Sequence, residues 1–279
     1  MANDVTLVQD PEIGKSVDVA GIATNYLEDG TGKDVVLIHG SGPGVTAFAN
    51  WQMVIPRLAG SFRVVAPDIV GFGYTQRPAD WAYNLDSWVR HIVGFLDSVG
   101  IGKARVVGNS FGGALSLALA ARHPQRVERL VLMGSAGLEF PISEGLDAVW
   151  GYRPSRETMR SMMKYFAYDP SLITPELAES RYIASTRPGF QECYEALFPA
   201  PRQRHIAALA TPEEDIRAIE AEVLIVHGRD DRIIPWDVSR RLHEILPRSQ
   251  LHVFGQCGHW TQVEMNARFC RQVHDFFSE

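Results

Sequence analysis

One stretch limits the possible folds of this chain more than any other. Gly108-Asn109-Ser110-Phe111-Gly112 stands directly between a β-branched run, Arg105-Val106-Val107, and a small-residue helical run, Gly113 to Ala118. A strand that passes into a helix through so short a G-x-S-x-G turn belongs to a βα unit. Its serine is forced into a strained backbone conformation, and only small flanking residues let neighbouring chain pass close to it. The hydroxyl then stands free above the sheet. The first amides of the helix point at the same spot, where an oxyanion would meet N–H donors. An incidental serine in a glycine-rich turn is the plain alternative, and the strand before and helix after count against it.

A nucleophilic serine needs a base, and the base needs an orienting carboxylate. Val223-Leu224-Ile225-Val226-His227-Gly228 reads as a buried parallel strand, followed by the loop Arg229-Asp230-Asp231-Arg232. A second strand, Leu251-His252-Val253-Phe254, leads into Gly255-Gln256-Cys257-Gly258-His259-Trp260. Serine, acid and histidine each sit just past a strand, in the chain order Ser…Asp…His of α/β-hydrolases. Among nine histidines, His39 and His227 close strands and His123 precedes a proline, whereas His259 lies in a glycine-loosened loop. Asp230 and Asp231 both qualify as the acid. Asp231 is preferred as the fourth residue of G-x-x-D.

Upstream, Asp34 to His39 forms another strand and ends in Gly40-Ser41-Gly42-Pro43-Gly44. This loop corresponds to the one that supplies a second oxyanion-hole amide, from Ser41 or Gly42, beside that of Phe111. Neither G-x-x-x-x-G-K-S/T nor a G-x-G-x-x-G opening a helix is present, which argues against a nucleotide site.

A net charge of −6 and the lack of basic clusters interleaved with aromatics argue against a nucleic-acid partner. The N-terminus lacks a basic start followed by an apolar core, and no stretch approaches eighteen apolar residues. The expectation is a soluble, cytoplasmic protein with no membrane partner. Cys193, Cys257 and Cys270 are odd in number and lack metal-ligand spacing, so neither a disulfide framework nor a zinc site is suggested, and Cys257 reads as packing.

Strand-like runs near 35–39, 62–66, 104–107, 129–133, 223–227 and 251–254 alternate with helical patterns, the signature of a parallel sheet. One helix spans 86–99, with Trp88, Ile92, Phe95, Leu96 and Val99 on one face. Val263, Phe269, Val273, Phe276 and Phe277 suggest a terminal helix packed on the sheet. Between 138 and 212 the strands vanish. Ser155 caps a helix carrying Met159, Met162, Met163 and Phe166, Thr174-Pro175-Glu176 starts another, and Thr211-Pro212-Glu213-Glu214 reads as a capping box that restarts the core. The expected architecture is an α/β-hydrolase fold: a mostly parallel central sheet flanked by helices, with a helical lid inserted after the sixth strand. Its parts are core 1–137, lid 138–212 and core 213–279.

His39-Gly40-Ser41-Gly42-Pro43-Gly44, the pentapeptide around Ser110 and Cys257-Gly258-His259-Trp260 together resemble the meta-cleavage product hydrolases, which cut a carbon–carbon bond. The segments Gly145 to Tyr152 and Phe198 to Arg204 are similar to the branch acting on 2-hydroxymuconate semialdehyde, and the resemblance runs from about Pro11 to Phe277, lid included. It implies a triad of Ser110, Asp231 and His259, and an oxyanion hole from Ser41 or Gly42 with Phe111. It also implies that Arg181 on a lid helix holds the substrate carboxylate, with Asn50, Asn109, Ser171 and Trp260 against the dienoate. No metal or organic cofactor is implied, and relatives are homo-oligomers, so at least a dimer is expected. The core motifs alone would also fit a carboxylesterase of the same fold. A dehalogenase is disfavoured because its nucleophile is an aspartate, and a non-catalytic binding protein because serine, acid and histidine are all retained.

Overall fold

Strands buried on both faces must be apolar on both, and the middle of this chain supplies several such runs. In the computed structural model, which describes residues 10–279, they assemble with their neighbours into one eight-stranded sheet. In chain order these are β1 (Lys15–Val19), β2 (Ile22–Asp29), β3 (Lys33–Ile38), β4 (Phe62–Pro67), β5 (Ala104–Asn109), β6 (Val127–Met133), β7 (Glu222–Gly228) and β8 (Ser249–Phe254). The spatial order is β1-β2-β4-β3-β5-β6-β7-β8. From β4 to β8 every pairing is parallel, with Val36 opposite Val106 and Val107 opposite Val131.

β1 and β2 extend the sheet beyond the strands legible in the sequence. They form an antiparallel hairpin at the sheet edge, closed by Ala20 and Gly21, both at positive φ (52° and 87°) as a two-residue hairpin turn requires. Their half-exposed, polar sequence carries none of the apolar run that marks a buried strand.

Side chains alternate across the sheet and so build two cores. Val36, Ile38 and Val106 face helices Leu85–Ser98 and Phe111–Arg122. Val35, Leu37 and Val107 face helices Ala47–Trp51, Ile55–Leu58 and Asn266–Ser278. Each is an apolar face that burial at about 25 cal/mol per Å² stabilises.

Between β6 and β7 five helices of six to eleven residues, Glu144–Trp150, Arg156–Met163, Pro175–Ser185, Phe190–Leu197 and Gln203–Ala208, precede a sixth, Glu213–Arg217. Ser143, Ser155 and Thr174 cap the first three, each accepting a hydrogen bond from the amide three residues on. The capping box expected at Thr211 does not form. The following helix begins at Glu213 with Pro212 in the cap position, and the Thr211 hydroxyl has no partner among the described residues. The Thr211 amide donates instead to Gly137 O (2.9 Å), and this bond closes the neck of the insertion. Among the described residues no helix is long and apolar enough to cross a membrane.

After β3 the chain steps to one side to make β4, then returns to the other side of β3 to make β5. At such a switch point the loops leaving two adjacent strands diverge and open a crevice at their carboxyl ends. Those loops begin at Gly40 and at Ser110, and the helical insertion roofs them.

Candidate active site

Ser110 joins β5 to helix Phe111–Arg122 with φ 54° and ψ −117°, a conformation that L residues rarely adopt. The strain is held by the backbone: Ser110 N donates to Met133 O (3.0 Å), while Ser110 O accepts from Ala136 N (3.1 Å). The flanking glycines are required by close approach. A Cβ on Gly112 would lie 2.3 Å from His39 O, and one on Gly108 would lie 2.4 Å from Ser116 Oγ.

His259 lies past β8 and is 3% exposed. Its Nδ1 meets Asp231 Oδ2 at 2.7 Å, and since a carboxylate only accepts, Nδ1 carries the hydrogen. Nε2, the nitrogen free of hydrogen bonds among the described residues, is left as the base. Asp231 Oδ1 accepts from the amides of Ile233 (2.7 Å) and Ile234 (3.0 Å), so the carboxylate is fixed at both oxygens. Complete burial alone would raise its pKa, but His259 and His227 outweigh this and hold it well below the usual carboxylate range. Asp230 takes a different place. It faces Arg229 (3.5 Å) and accepts from Cys257 N (3.4 Å), turned away from the imidazole. Cys257 is fully buried, and desolvation pushes its thiol up to about 12, which leaves it packed and unreactive.

Ser110 and His259 line one cavity of about 720 Å³ beneath the lid. Gly40, Ser41 and Gly42 form one wall, with the Ser41 hydroxyl held by Trp150 Nε1 (3.0 Å). The Phe111 side chain is not part of the wall. Its ring packs edge-on against Trp88 at 4.9 Å, which anchors the first turn of the helix whose amide end faces the serine.

Asn50, Asn109, Arg181 and Trp260 also line this cavity. Asn109 Nδ2 is tied to Met133 O (3.1 Å), and Trp260 stacks on Phe166 with ring centroids 5.1 Å apart. Asn50 lies in the last turn of helix Ala47–Trp51 rather than at a helix start, and its buried Nδ2 has no partner among the described residues. Arg181 reaches down from helix Pro175–Ser185, where Nη2 donates to Gly44 O (2.9 Å) and lies 3.8 Å from Glu12 Oε1. Burial lowers its pKa from the usual arginine value, and its Nε has no partner among the described residues. Buried donors without partners are rare in folded proteins, and here two border one cavity, where a ligand rich in acceptors would satisfy both.

Ser171 does not join the site. It is exposed in the short turn Pro170–Leu172, its amide bonded to Asp169 Oδ1 (2.9 Å), and the apolar Leu172 takes the inward position. Glu12 and Arg187, an ion pair bridging the N-terminal segment and the lid, line the cavity and were missed. Their partnership spans 175 residues and leaves no local trace. Met159, Met162, Met163 and Phe166, read as one helical face, form the apolar wall. Among the described residues no group of three metal-ligating side chains occurs.

A serine on a strained strand-to-helix turn, with an acid and a histidine after later strands of a mostly parallel sheet, defines an α/β-hydrolase. The α/β hydrolase fold family model matches residues 34–156 and 181–265. The chain is 59% identical to the 2-hydroxymuconate semialdehyde hydrolase of Pseudomonas sp. (strain CF600), covering 96% of this chain and 95% of that one. It is 58% identical to the 2-hydroxy-6-oxo-2,4-heptadienoate hydrolase of Pseudomonas putida strain F1, covering 96% and 97%. Among solved structures, a meta-cleavage product hydrolase from Pseudomonas fluorescens IP01 superposes with a TM-score of 0.96 at 56% identity, covering 96% of this chain and 99% of that one. The chain belongs to the α/β-hydrolases and, within them, to the meta-cleavage product hydrolases.

Proposed function

We infer that this enzyme hydrolyses the carbon–carbon bond of a 2-hydroxy-6-oxohexa-2,4-dienoate, either 2-hydroxymuconate semialdehyde or a 6-alkyl analogue. The products are 2-hydroxypenta-2,4-dienoate and formate or a short carboxylic acid. The observation that carries this reading is the joining of two features in one cavity: Ser110 with the Asp231–His259 pair, and a largely buried Arg181 whose Nε has no partner among the described residues. A simple esterase has no use for a cation in the wall of its pocket.

The chemistry follows from the arrangement. The dienol must first ketonise, losing its enol proton and gaining one at C5, because only the keto form lets the 2-oxo acid accept the electrons of the breaking bond. Arg181 holds the carboxylate end and favours build-up of negative charge there. Ser110, or a water activated through His259, then attacks C6 and gives its proton to His259 Nε2. The resulting oxyanion faces the amides of the Gly40–Gly42 loop and of Phe111. Collapse breaks C5–C6, the electron pair returns to the conjugated system as the dienolate, which takes the proton held on His259 Nε2 to become the dienol, and water releases the acyl group if serine attacked.

The test is loss of the yellow dienolate colour of 2-hydroxymuconate semialdehyde, with formate and 2-hydroxypenta-2,4-dienoate identified by mass spectrometry, with and without chelator. Ser110→Ala is expected to lower kcat by about three orders of magnitude or more while retaining binding. A folded enzyme that hydrolyses nitrophenyl acetate and leaves every such dienolate untouched is an esterase, and the inference is then wrong.

A further inference from the structure

His227 ends β7 fully buried and does not line the substrate cavity, so packing is its ordinary explanation. Its hydrogen bonds say more. Nε2 lies 3.0 Å from Ile234 O and 3.2 Å from Asp231 Oδ2, the carboxylate oxygen that accepts from His259 Nδ1. Both neighbours are pure acceptors, so Nε2 carries the hydrogen and shares it between them. Nδ1 lies 2.7 Å from the hydroxyl of Ser239, a fully buried residue on helix Trp236–Ile245. Ser239 donates to Nδ1 and so locks the ring in the Nε2–H tautomer.

We propose that His227 is a positioning residue for the reaction, through which Ser239 and β7 hold the Asp231 carboxylate in the orientation and charge state that keep His259 Nδ1 protonated. The carboxylate has four donors: two amides on Oδ1 and two imidazoles on Oδ2. The amides fix where the group sits. His227 divides the Oδ2 charge, so that it orients His259 in the resting enzyme without binding its proton too tightly. The ionisable groups facing Asp231 are His259, His227 and the thiol of Cys257, which burial keeps protonated. This inference rests on the triad reading of Ser110, Asp231 and His259.

Three variants and one spectrum test it. In His227→Phe, Oδ2 loses a donor and becomes a stronger partner for protonated His259. The acid limb of the kcat/KM profile is expected to move up by about half to one pH unit. The kcat should fall roughly ten- to one-hundred-fold with KM within about twofold, since the residue does not touch the cavity. His227→Gln keeps an N–H at the position of Nε2 and should restore most of kcat and the wild-type profile. Ser239→Ala should show a smaller effect in the same direction. Nitrogen-15 histidine spectra of the unmodified enzyme should show His227 with hydrogen on Nε2 alone. A hydrogen on Nδ1 overturns the proposal, as does a profile unmoved in a folded His227→Phe, or a Gln variant no better than Phe. Profiles are taken with nitrophenyl acetate as well as the dienolate. Failure on the dienolate by the unmodified enzyme therefore counts against the carbon–carbon reading alone, and full ester activity in His259→Ala counts against the triad.

Discussion

Replacing Asp231 by asparagine changes one atom, and the structure says which interactions that atom breaks. The new amide oxygen fits the position of Oδ1, where the Ile233 and Ile234 amides donate at 2.7 and 3.0 Å. The NH2 group then takes the place of Oδ2 and points its hydrogens at His259 Nδ1, 2.7 Å away, and His227 Nε2, 3.2 Å away, each of which already carries one. Donor faces donor. The ring relieves this by moving its hydrogen to Nε2, and so loses the lone pair that accepts the serine proton. Amidating the acid of a serine triad in this way lowers kcat by about 10⁴, or roughly 5 kcal/mol of transition-state stabilisation. Asp230→Asn is the control. Its carboxylate is 30% exposed and pairs with Arg229 at 3.5 Å, an interaction worth at most about 1 kcal/mol to stability. Activity should stay within about twofold. Steady-state kinetics of both variants, with circular dichroism to establish folding, decides the matter. The reasoning is refuted if Asp230→Asn is the more damaged enzyme, or if Asp231→Asn keeps a tenth of the wild-type kcat.

Two further outcomes are expected. Arg181→Ala should weaken turnover of the carboxylate-bearing dienolate by roughly 2–5 kcal/mol in kcat/KM while barely changing hydrolysis of nitrophenyl acetate, and equal losses on both would make Arg181 structural. Stability should also fall on acidification from about pH 6.5 to pH 4. Burial depresses His39 and His91 to about 4 in the folded state, so there the unfolded chain binds more protons, and each favours folding above its unfolded pKa by up to about 1.4 kcal/mol per pH unit crossed. Asp68, raised by burial to about 6, acts in the opposite sense and offsets about one of them, leaving a net loss that urea titrations at pH 7 and pH 4.5 would measure. A midpoint unchanged between the two would contradict it.

The elements easiest to read in the sequence were those whose pattern is local. Buried parallel strands announce themselves as apolar runs, and the turn at Ser110 is a five-residue signal whose glycines answer contacts of 2.3 and 2.4 Å. Helix caps at Ser155 and Thr174 were legible for the same reason, since each is made within four residues. Thr211 misled because an equally good local motif was overruled by a bond to Gly137, 74 residues away in the chain. The hairpin β1–β2 leaves little local trace because both strands, KSVDV and IATNYLED, interleave polar residues with the apolar ones.

The sequence by itself therefore determined the α/β class, the order of serine, acid and histidine, and the presence of a helical insertion, since all of these lie in short-range periodicity and turn chemistry. Only the tertiary structure set Asp231, and not Asp230, against His259, turned Ser171 outward, and brought Glu12 and Arg187 to the cavity. Adjacent residues on a loop have nearly the same sequence context but opposite side-chain directions. Which one reaches His259 depends on how β7 and β8 are registered against each other, a property of the assembled sheet.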